Sequence, residues 1–266
     1  MTELTKRILV AVPAASIFIS LAWMGGFYFN AVMALLAAGT IWEVGRLLKM
    51  SGRDLFLPVS YLIAGAIWVA VILPDPVLYV FVALLILATA DAFISTKSEW
   101  SVKWLNTMLC AVYTTLGYYM AAAVRELGTG QDGFWLILAL FLMIWGNDVF
   151  AYFGGKNFGR RKLAPHISPN KTWEGFWFGF LGAVTGATIA WFSVADFPLT
   201  FYQLLPAAII TSVTGPVGDL LESSMKRRAD MKDSSSLLPG HGGLFDRFDA
   251  MILTAPFIYF YFTLFV

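Results

Sequence analysis

From Ile8 to Trp42 the chain carries no Asp, Glu, Lys or Arg. One helix over that run would be about 50 Å long, against a hydrocarbon core of about 30 Å. The run must fold back, and Gly25-Gly26 is the turn that divides it into apolar helices over 8–24 and 27–45. Further apolar runs cover 55–73, which stops at Pro74-Asp75-Pro76, then 77–95, 104–124, 133–155, 175–195, 197–222 and 250–266. Backbone groups in a bilayer must be paired internally, which leaves helices or closed barrels. Long uncharged runs favour helices over the short alternating strands of a barrel. The pattern therefore predicts an all-α, polytopic integral membrane protein with about nine transmembrane helices. No internal repeat divides it into two similar halves, as in many transporters. Residues 1–130, with spans one to five, are poor in polar positions and read as a transmembrane scaffold. Residues 131–266, with spans six to nine and polar loops at 156–174 and 223–249, read as the region that carries the chemistry.

Composition agrees: 59% of residues are hydrophobic and 13% charged. The net charge of +1 identifies no partner, but the placement of charge orients the chain. Of the 18 Lys and Arg, 17 fall in the N-terminal tail or in loops after spans two, four, six and eight. Only Arg125 falls on the other side. The positive-inside rule then predicts a cytoplasmic N-terminus and an outside C-terminus. Lys6-Arg7 followed by apolar Ile8–Trp23 imitates a signal peptide, but no polar mature domain follows, so an uncleaved first span is expected. Cys110, the single cysteine, lies in an apolar run and reads as a packing residue. Trp and Tyr near span ends read as interfacial anchors.

The charge that remains is concentrated in Ser223–Asp249. Lys226, Arg227, Arg228, Lys232, His241 and Arg247 stand there among Asp230, Asp233, Asp246 and Asp249, around a Gly240-His241-Gly242-Gly243 turn. Cationic side chains and free backbone N–H groups suit phosphate oxygens, and carboxylates suit a hard metal ion that the same phosphates would share. Asp148, Asp219 and Asp246 interrupt the later spans, where a carboxylate is costly and marks a site or a buried pair. The plainer reading is a helix cap or a local ion pair. Asp219, Glu222, Ser223 and Lys226 share one helix face; Glu222 and Lys226, at i,i+4, fit an ordinary ion pair, which leaves Glu222 outside the first rank. Asp249 shares a face with Asp246, as a second metal contact or a partner of the helix dipole. In the loop after span six, Ser168, Asn170 and Thr172 are expected caps of span seven, with Lys171 at that helix N-terminus, where an anion is favoured. Arg160–Lys162 read as anchors to lipid headgroups, and His166 as a loop histidine without a catalytic role. Glu43 is expected to pair with Arg46; no reading attaches to Asp91.

These positions resemble the C-terminal signature of the phosphatidate cytidylyltransferases, also called CDP-diacylglycerol synthases. The matching positions are Ser223, Met225-Lys226-Arg227, Lys232-Asp233, Pro239-Gly240-His241-Gly242-Gly243 and Asp246-Arg247-Phe248-Asp249. Ser168–Gly175 resembles a second family segment, whereas spans one to five match only in being hydrophobic. The resemblance implies transfer of the cytidylyl group of CTP to phosphatidate, giving CDP-diacylglycerol and pyrophosphate. It implies dependence on Mg²⁺ in a paired metal centre, the second ion being one such as K⁺. It further implies an all-helical fold in the inner (cytoplasmic) membrane, a polar cavity facing the cytoplasm and a homodimer. CTP, phosphatidate and membrane lipids are then the partners, with no nucleic acid among them. On that reading Asp219, Asp246 and Lys226 are the catalytic residues. Asp219 and Asp246 are the principal metal carboxylates, and Asp148 and Asp249 contribute. Lys171, Lys226, Arg227, Lys232, His241, Gly242, Gly243 and Arg247 are phosphate ligands. Two alternatives stay open: a CTP-dependent lipid kinase of related fold, and an ion channel or transporter with Asp148 and Asp219 in its pathway.

Overall fold

Glycine at the first predicted turn does what the pattern asks of it: Gly25 and Gly26 have φ of 62° and 48°, and helices run away on either side. In this computed structural model, residues 3–69, 99–237 and 242–266 are described. The expected span over 77–95, the Pro74-Asp75-Pro76 stop, Asp91, Lys97 and His241 lie outside them. The elements are α1 (Glu3–Met24), α2 (Gly26–Met50), α3 (Leu57–Val69), α4 (Glu99–Arg125), α5 (Asp132–Phe158), β1 (Lys162–Ala164), β2 (Ser168–Thr172), α6 (Trp173–Phe192), α7 (Phe201–Arg228) and α8 (Phe245–Phe262). Among the described residues, α2, α4, α5, α6 and α7 are long and apolar enough to cross a bilayer, while Val12–Met24 and α3 are shorter apolar helices. The protein is thus a mostly helical membrane protein.

Each expected span within the described residues coincides with one helix, but several helices overrun the apolar stretch. α2 continues to Met50 and α7 to Arg228. Hydropathy marks the part that is apolar; charged side chains such as Lys49 and Arg228 prolong the same helix, and basic residues in a last turn favour its dipole. The loop after α5 differs from expectation. It folds as an antiparallel hairpin, β1 on β2, pairing Lys162 with Thr172 and Ala164 with Ser168. Thr172 also caps α6, its hydroxyl accepting from Gly175 N at 3.1 Å, so one of the three expected caps is present, while Ser168 and Asn170 lie in β2 instead. His166 lies in the hairpin turn, exposed.

Arg125, the one basic residue on the wrong side by charge segregation, is buried at 7% exposure. Its Nε donates to Ala22 O at 2.5 Å, and its Nη2 to Trp23 O at 3.0 Å and Gln131 Oε1 at 3.1 Å. It satisfies the last carbonyls of α1, which have no intrahelical partner, and it packs beneath Gly25. Its charge therefore serves packing rather than orientation. Arg125→Ala is expected to cost roughly 1–3 kcal/mol, because the buried Ala22 carbonyl and the part-buried Trp23 carbonyl lose their donor. Arg125→Lys recovers only part of that, since one ammonium cannot reproduce a fork of N–H groups. Thermal unfolding in detergent reads the effect; an unchanged midpoint for Arg125→Ala would remove this role.

The core is built from Phe29, Met33, Ile41, Tyr118, Leu136, Leu140 and Met143, all fully buried. Tyr118 and Thr40 hydroxyls meet at 2.8 Å inside it, joining α4 to α2. Cys110 is buried in the same core, as its apolar context suggests. α6 presents Gly179, Gly182 and Gly186 to α5, where a Cβ would strike Asn147 and the carbonyls of Gly146 and Leu142. Small residues let these backbones approach closely, the usual means of helix association in lipid.

Candidate active site

One face of α7 carries Asp219, Glu222 and Lys226, the stack that the 0, 3, 7 spacing predicts. Gly218 decides what that face meets. A Cβ there would lie 2.6 Å from Asp249 O and 3.1 Å from Ala250 Cα, so only glycine lets α7 approach the first turns of α8 this closely. The approach brings the Asp249 side chain within interaction reach of Asp219 and Glu222. Asp148 of α5 interacts with Asp219 and with Lys171. The Lys171 Nζ donates to Asp219 Oδ2 at 2.7 Å and lies 3.4 Å from Pro216 O. Asp148 and Asp219 thus meet at the Lys171 ammonium, and Asp249 reaches Asp219 from α8.

A polar cavity of about 660 Å³ opens beside them. Asp148, Lys171 and Asp219 line it, together with Lys156, Lys162 and Asn147. Small-molecule sites commonly fall between about 300 and 1,000 Å³. Asn147 is 1% exposed, and neither atom of its amide has a hydrogen-bond partner among the described residues. A buried amide left unpaired is costly, so it suits a site completed by water or ligand.

A second cluster lies further along the same face. The Lys226 Nζ is 2.7 Å from Asp246 Oδ1 and 2.6 Å from Glu222 Oε1, with side-chain exposures of 12%, 5% and 3%. The Asp246 contact has hydrogen-bond geometry; the Glu222 contact is close but off the hydrogen-bond direction. Asp246 Oδ2 accepts from Ser234 N at 2.8 Å, Ser234 Oγ at 2.7 Å and Gly243 N at 2.7 Å. Asp246 is thereby built into the signature loop as well as into the charge cluster. Gly242 takes φ 81°, and a Cβ there would press on Asp246 Oδ2, so glycine at that position leaves room for the carboxylate. The Gly243 N–H, expected at a phosphate, is committed to Asp246 in this structure.

The structure therefore brings together Asp148, Lys171 and Asp219 at the cavity, with Asp249 reaching Asp219 from α8, and Glu222, Lys226 and Asp246 further along the same face of α7. Arg227, Lys232 and Arg247 are exposed, and Arg227 donates to Met231 O at 3.2 Å. Arg160 and Arg161 side chains are exposed, while their backbone N–H groups donate to the Glu174 carboxylate at 2.9 and 3.1 Å. Three features escaped the sequence. Glu222 sits inside the cluster despite its ordinary i,i+4 spacing. Lys162, grouped with lipid anchors, lines the cavity because β1 turns it there. Glu43 does not pair with Arg46, whose guanidinium lies over the Trp42 ring at 5.9 Å. Glu43 is fully buried and accepts hydrogen bonds from Ser234, Ser235, Leu244 and Phe245. No local signal marks that contact, which spans about 200 residues of sequence.

The donor set fits a hard divalent cation. Asp219, Asp249 and Asp148 offer carboxylate oxygens with one Lys171 to offset them, and the orphaned Asn147 amide adjoins them. Among the described residues no three His, Cys, Asp or Glu side chains form a ready-made metal cage. Mg²⁺ does not ask for one: it is usually held by one or two carboxylates, water and the substrate's own phosphates.

Comparison with known proteins extends the picture beyond the C-terminal signature. The sequence profile of the Cytidylyltransferase family matches residues 5–265. A protein of Bacillus subtilis (strain 168) named phosphatidate cytidylyltransferase is 34% identical over 277 residues, covering 100% of both chains. Similar proteins of the same name occur in Staphylococcus haemolyticus (strain JCSC1435), 32% identical over 95% of this chain and 96% of the relative, and in Haemophilus influenzae (strain ATCC 51907 / DSM 11121 / KW20 / Rd), 33% identical over 97% and 99%.

Proposed function

Because this chain belongs to the Cytidylyltransferase family, we propose that its activity is that of a phosphatidate cytidylyltransferase. It transfers the cytidylyl group of CTP to phosphatidate and releases pyrophosphate. A lipid phosphate oxygen attacks the α-phosphorus of CTP; the bond from that phosphorus to the bridging oxygen breaks, and pyrophosphate leaves with the electron pair. No covalent intermediate on the protein is needed, since the lipid phosphate is itself the nucleophile. The observation that carries this reading is the meeting of Asp219, Asp148 and Lys171 at a polar cavity at the ends of membrane helices.

Both substrates are anions, so repulsion must be screened before they meet. We assign Lys171 to phosphate binding at the cavity, with Lys156 and Lys162 on its wall. Lys226, Arg227, Lys232, His241, Arg247 and the glycines 242 and 243 are the further candidates for phosphate binding. A cation orients and offsets phosphate oxygens by position and charge, not by covalent chemistry. Asp219 and Asp246, with Asp148 and Asp249 as contributors, are the proposed ligands of Mg²⁺ and of a second ion such as K⁺. When bound, the metal supplies charge stabilisation to the phosphoryl oxygens and the departing pyrophosphate. Lys226 holds Asp246 and Glu222, so the carboxylates of α7 and α8 keep their places.

The proposed topology has nine spans, a cytoplasmic N-terminus and an outside C-terminus, with the cavity facing the cytoplasm; the charge segregation supports it. It predicts accessibility. In a Cys110→Ala background, cysteine at Arg160 or Lys232, both exposed, is expected to react with an impermeant thiol reagent only from the cytoplasmic side. Cysteine at Asp196, also exposed, reacts only from outside. Labelling of positions 160 and 196 from one side would defeat the topology. A homodimer is proposed with it, testable by native mass spectrometry from lipid discs. The enzymatic reading is tested by pyrophosphate release: purified protein with CTP releases it only when phosphatidate is present. Release that ignores phosphatidate would sink the assignment. Chelation by EDTA stops release and added Mg²⁺ restores it.

A further inference from the structure

Glu43 stands on α2, far from the signature in sequence and among apolar neighbours. It is fully buried, and no Lys or Arg forms an ion pair with it among the described residues. A buried carboxylate without a cation is expensive unless hydrogen bonds replace its water. Glu43 has four, divided evenly. Its Oε1 accepts from Leu244 N at 2.9 Å and Ser235 Oγ at 2.6 Å. Its Oε2 accepts from Phe245 N at 2.6 Å and shares the one Ser234 hydroxyl proton, with Oγ at 3.0 Å, with Asp246 Oδ2.

Those donors are the two stems of one loop. Ser234 and Ser235 enter it; Leu244 and Phe245 leave it and begin α8. One side chain on a neighbouring helix thus closes the loop's base. The Ser234 hydroxyl lies between Glu43 Oε2 and Asp246 Oδ2, and Ser234 N also donates to Asp246. Gly243 leaves the space this needs: a Cβ there would collide with Ser234 Oγ and Glu43 Oε1. Asp246 in turn holds Lys226. We propose that Glu43 is a positioning residue for cytidylyl transfer: it fixes both stems of the loop 234–245 and, through Ser234, the placement of Asp246 and Lys226. Glu43 touches neither substrate nor metal. This inference rests on the cytidylyltransferase reading for its catalytic half only.

The test uses substitutions that keep the shape. In Glu43→Gln one oxygen becomes an NH₂. Either orientation sets that NH₂ against a backbone N–H, of Leu244 or of Phe245; serine hydroxyls can turn round, but backbone donors cannot. Ser234→Ala removes only the hydroxyl between Glu43 and Asp246. Asp54→Asn, in an exposed ion pair with Lys103, is the control. Two quantities are read in full-length protein in phosphatidate micelles: steady-state kcat and KM, and amide hydrogen exchange of the peptide covering residues 242–249 without substrates. The expected result is exchange at least about tenfold faster in both test variants. In addition kcat falls at least about 100-fold for Glu43→Gln and about tenfold for Ser234→Ala, with KM for CTP within threefold. The control matches wild type in both readings. Unchanged exchange, or faster exchange with kcat within threefold, overturns the proposal, as does a loss carried by KM alone. If Glu43→Gln does not fold, Ser234→Ala decides by the same criteria. A wild type that makes no CDP-diacylglycerol overturns the enzymatic reading instead, and the exchange result still judges the anchoring.

Discussion

Asp219→Asn is expected to leave a folded protein whose turnover is at least about a thousandfold below wild type, or about 4 kcal/mol of transition-state stabilisation. The substitution keeps the side chain's size and removes its charge. Asp219 is the point where the parts of the site meet: Lys171 bonds it at 2.7 Å, and Asp148 and Asp249 face it. Losing that charge releases Lys171 from its place and removes a principal proposed metal carboxylate. The fold itself loses little, because the Asp219 side chain is 24% exposed and lines a cavity. Initial rates in mixed micelles, with thermal unfolding as the folding check, read the outcome. A rate within threefold of wild type would exclude Asp219 from the machinery.

Lys226→Met should damage both stability and rate. The ammonium is the cation between Glu222 and Asp246, whose side chains are 3% and 5% exposed. Removing it leaves two buried carboxylates facing each other, the kind of broken ion cluster that costs about 3–5 kcal/mol. Turnover should fall by at least about a hundredfold as Asp246 loses its Oδ1 partner. A second substitution separates the two effects. Glu222→Gln added to Lys226→Met removes one of the opposed charges and should recover much of the unfolding midpoint, yet it restores no turnover. If the double variant regained activity, Lys226 would be only a counter-charge to Glu222. If the single variant unfolded at the wild-type temperature, the cluster would be carrying no strain to relieve.

The helices were legible because a bilayer imposes a length and a composition that a chain cannot disguise. The turn at Gly25-Gly26 and the runs now seen as α4 to α8 follow from that alone. The face of α7 was legible too, since 3.6 residues per turn stacks Asp219 on Lys226. Contacts between helices distant in sequence were not. Asp249 meets Asp219 because Gly218 lets α8 close on α7, and a lone glycine in a helix does not say which partner it admits. Glu43 belongs to the half that hydropathy marks as scaffold, and its nearest cation in sequence, Arg46, suggested a local pair. Two of its partners are backbone N–H groups, which every residue but proline has, and two are hydroxyls of serines 191 and 192 residues away, so no residue type nearby pointed to them. The hairpin β1–β2 was hidden because Ser168-Pro169-Asn170 reads as turn chemistry, while pairing back onto Lys162–Ala164 draws on hydrogen bonds that composition does not encode.

The central claim is that this chain moves the cytidylyl group, and not a terminal phosphate, onto a lipid phosphate. The direct measurement incubates purified protein and phosphatidate with CTP labelled in one preparation at the α-phosphate and in another at the γ-phosphate, then extracts the lipid. The α-label is expected in CDP-diacylglycerol, the γ-label only in aqueous pyrophosphate, and neither in lipid made by Asp219→Asn. Recovery of the γ-label in lipid, with the α-label left in water, would contradict the account and make the protein a lipid kinase.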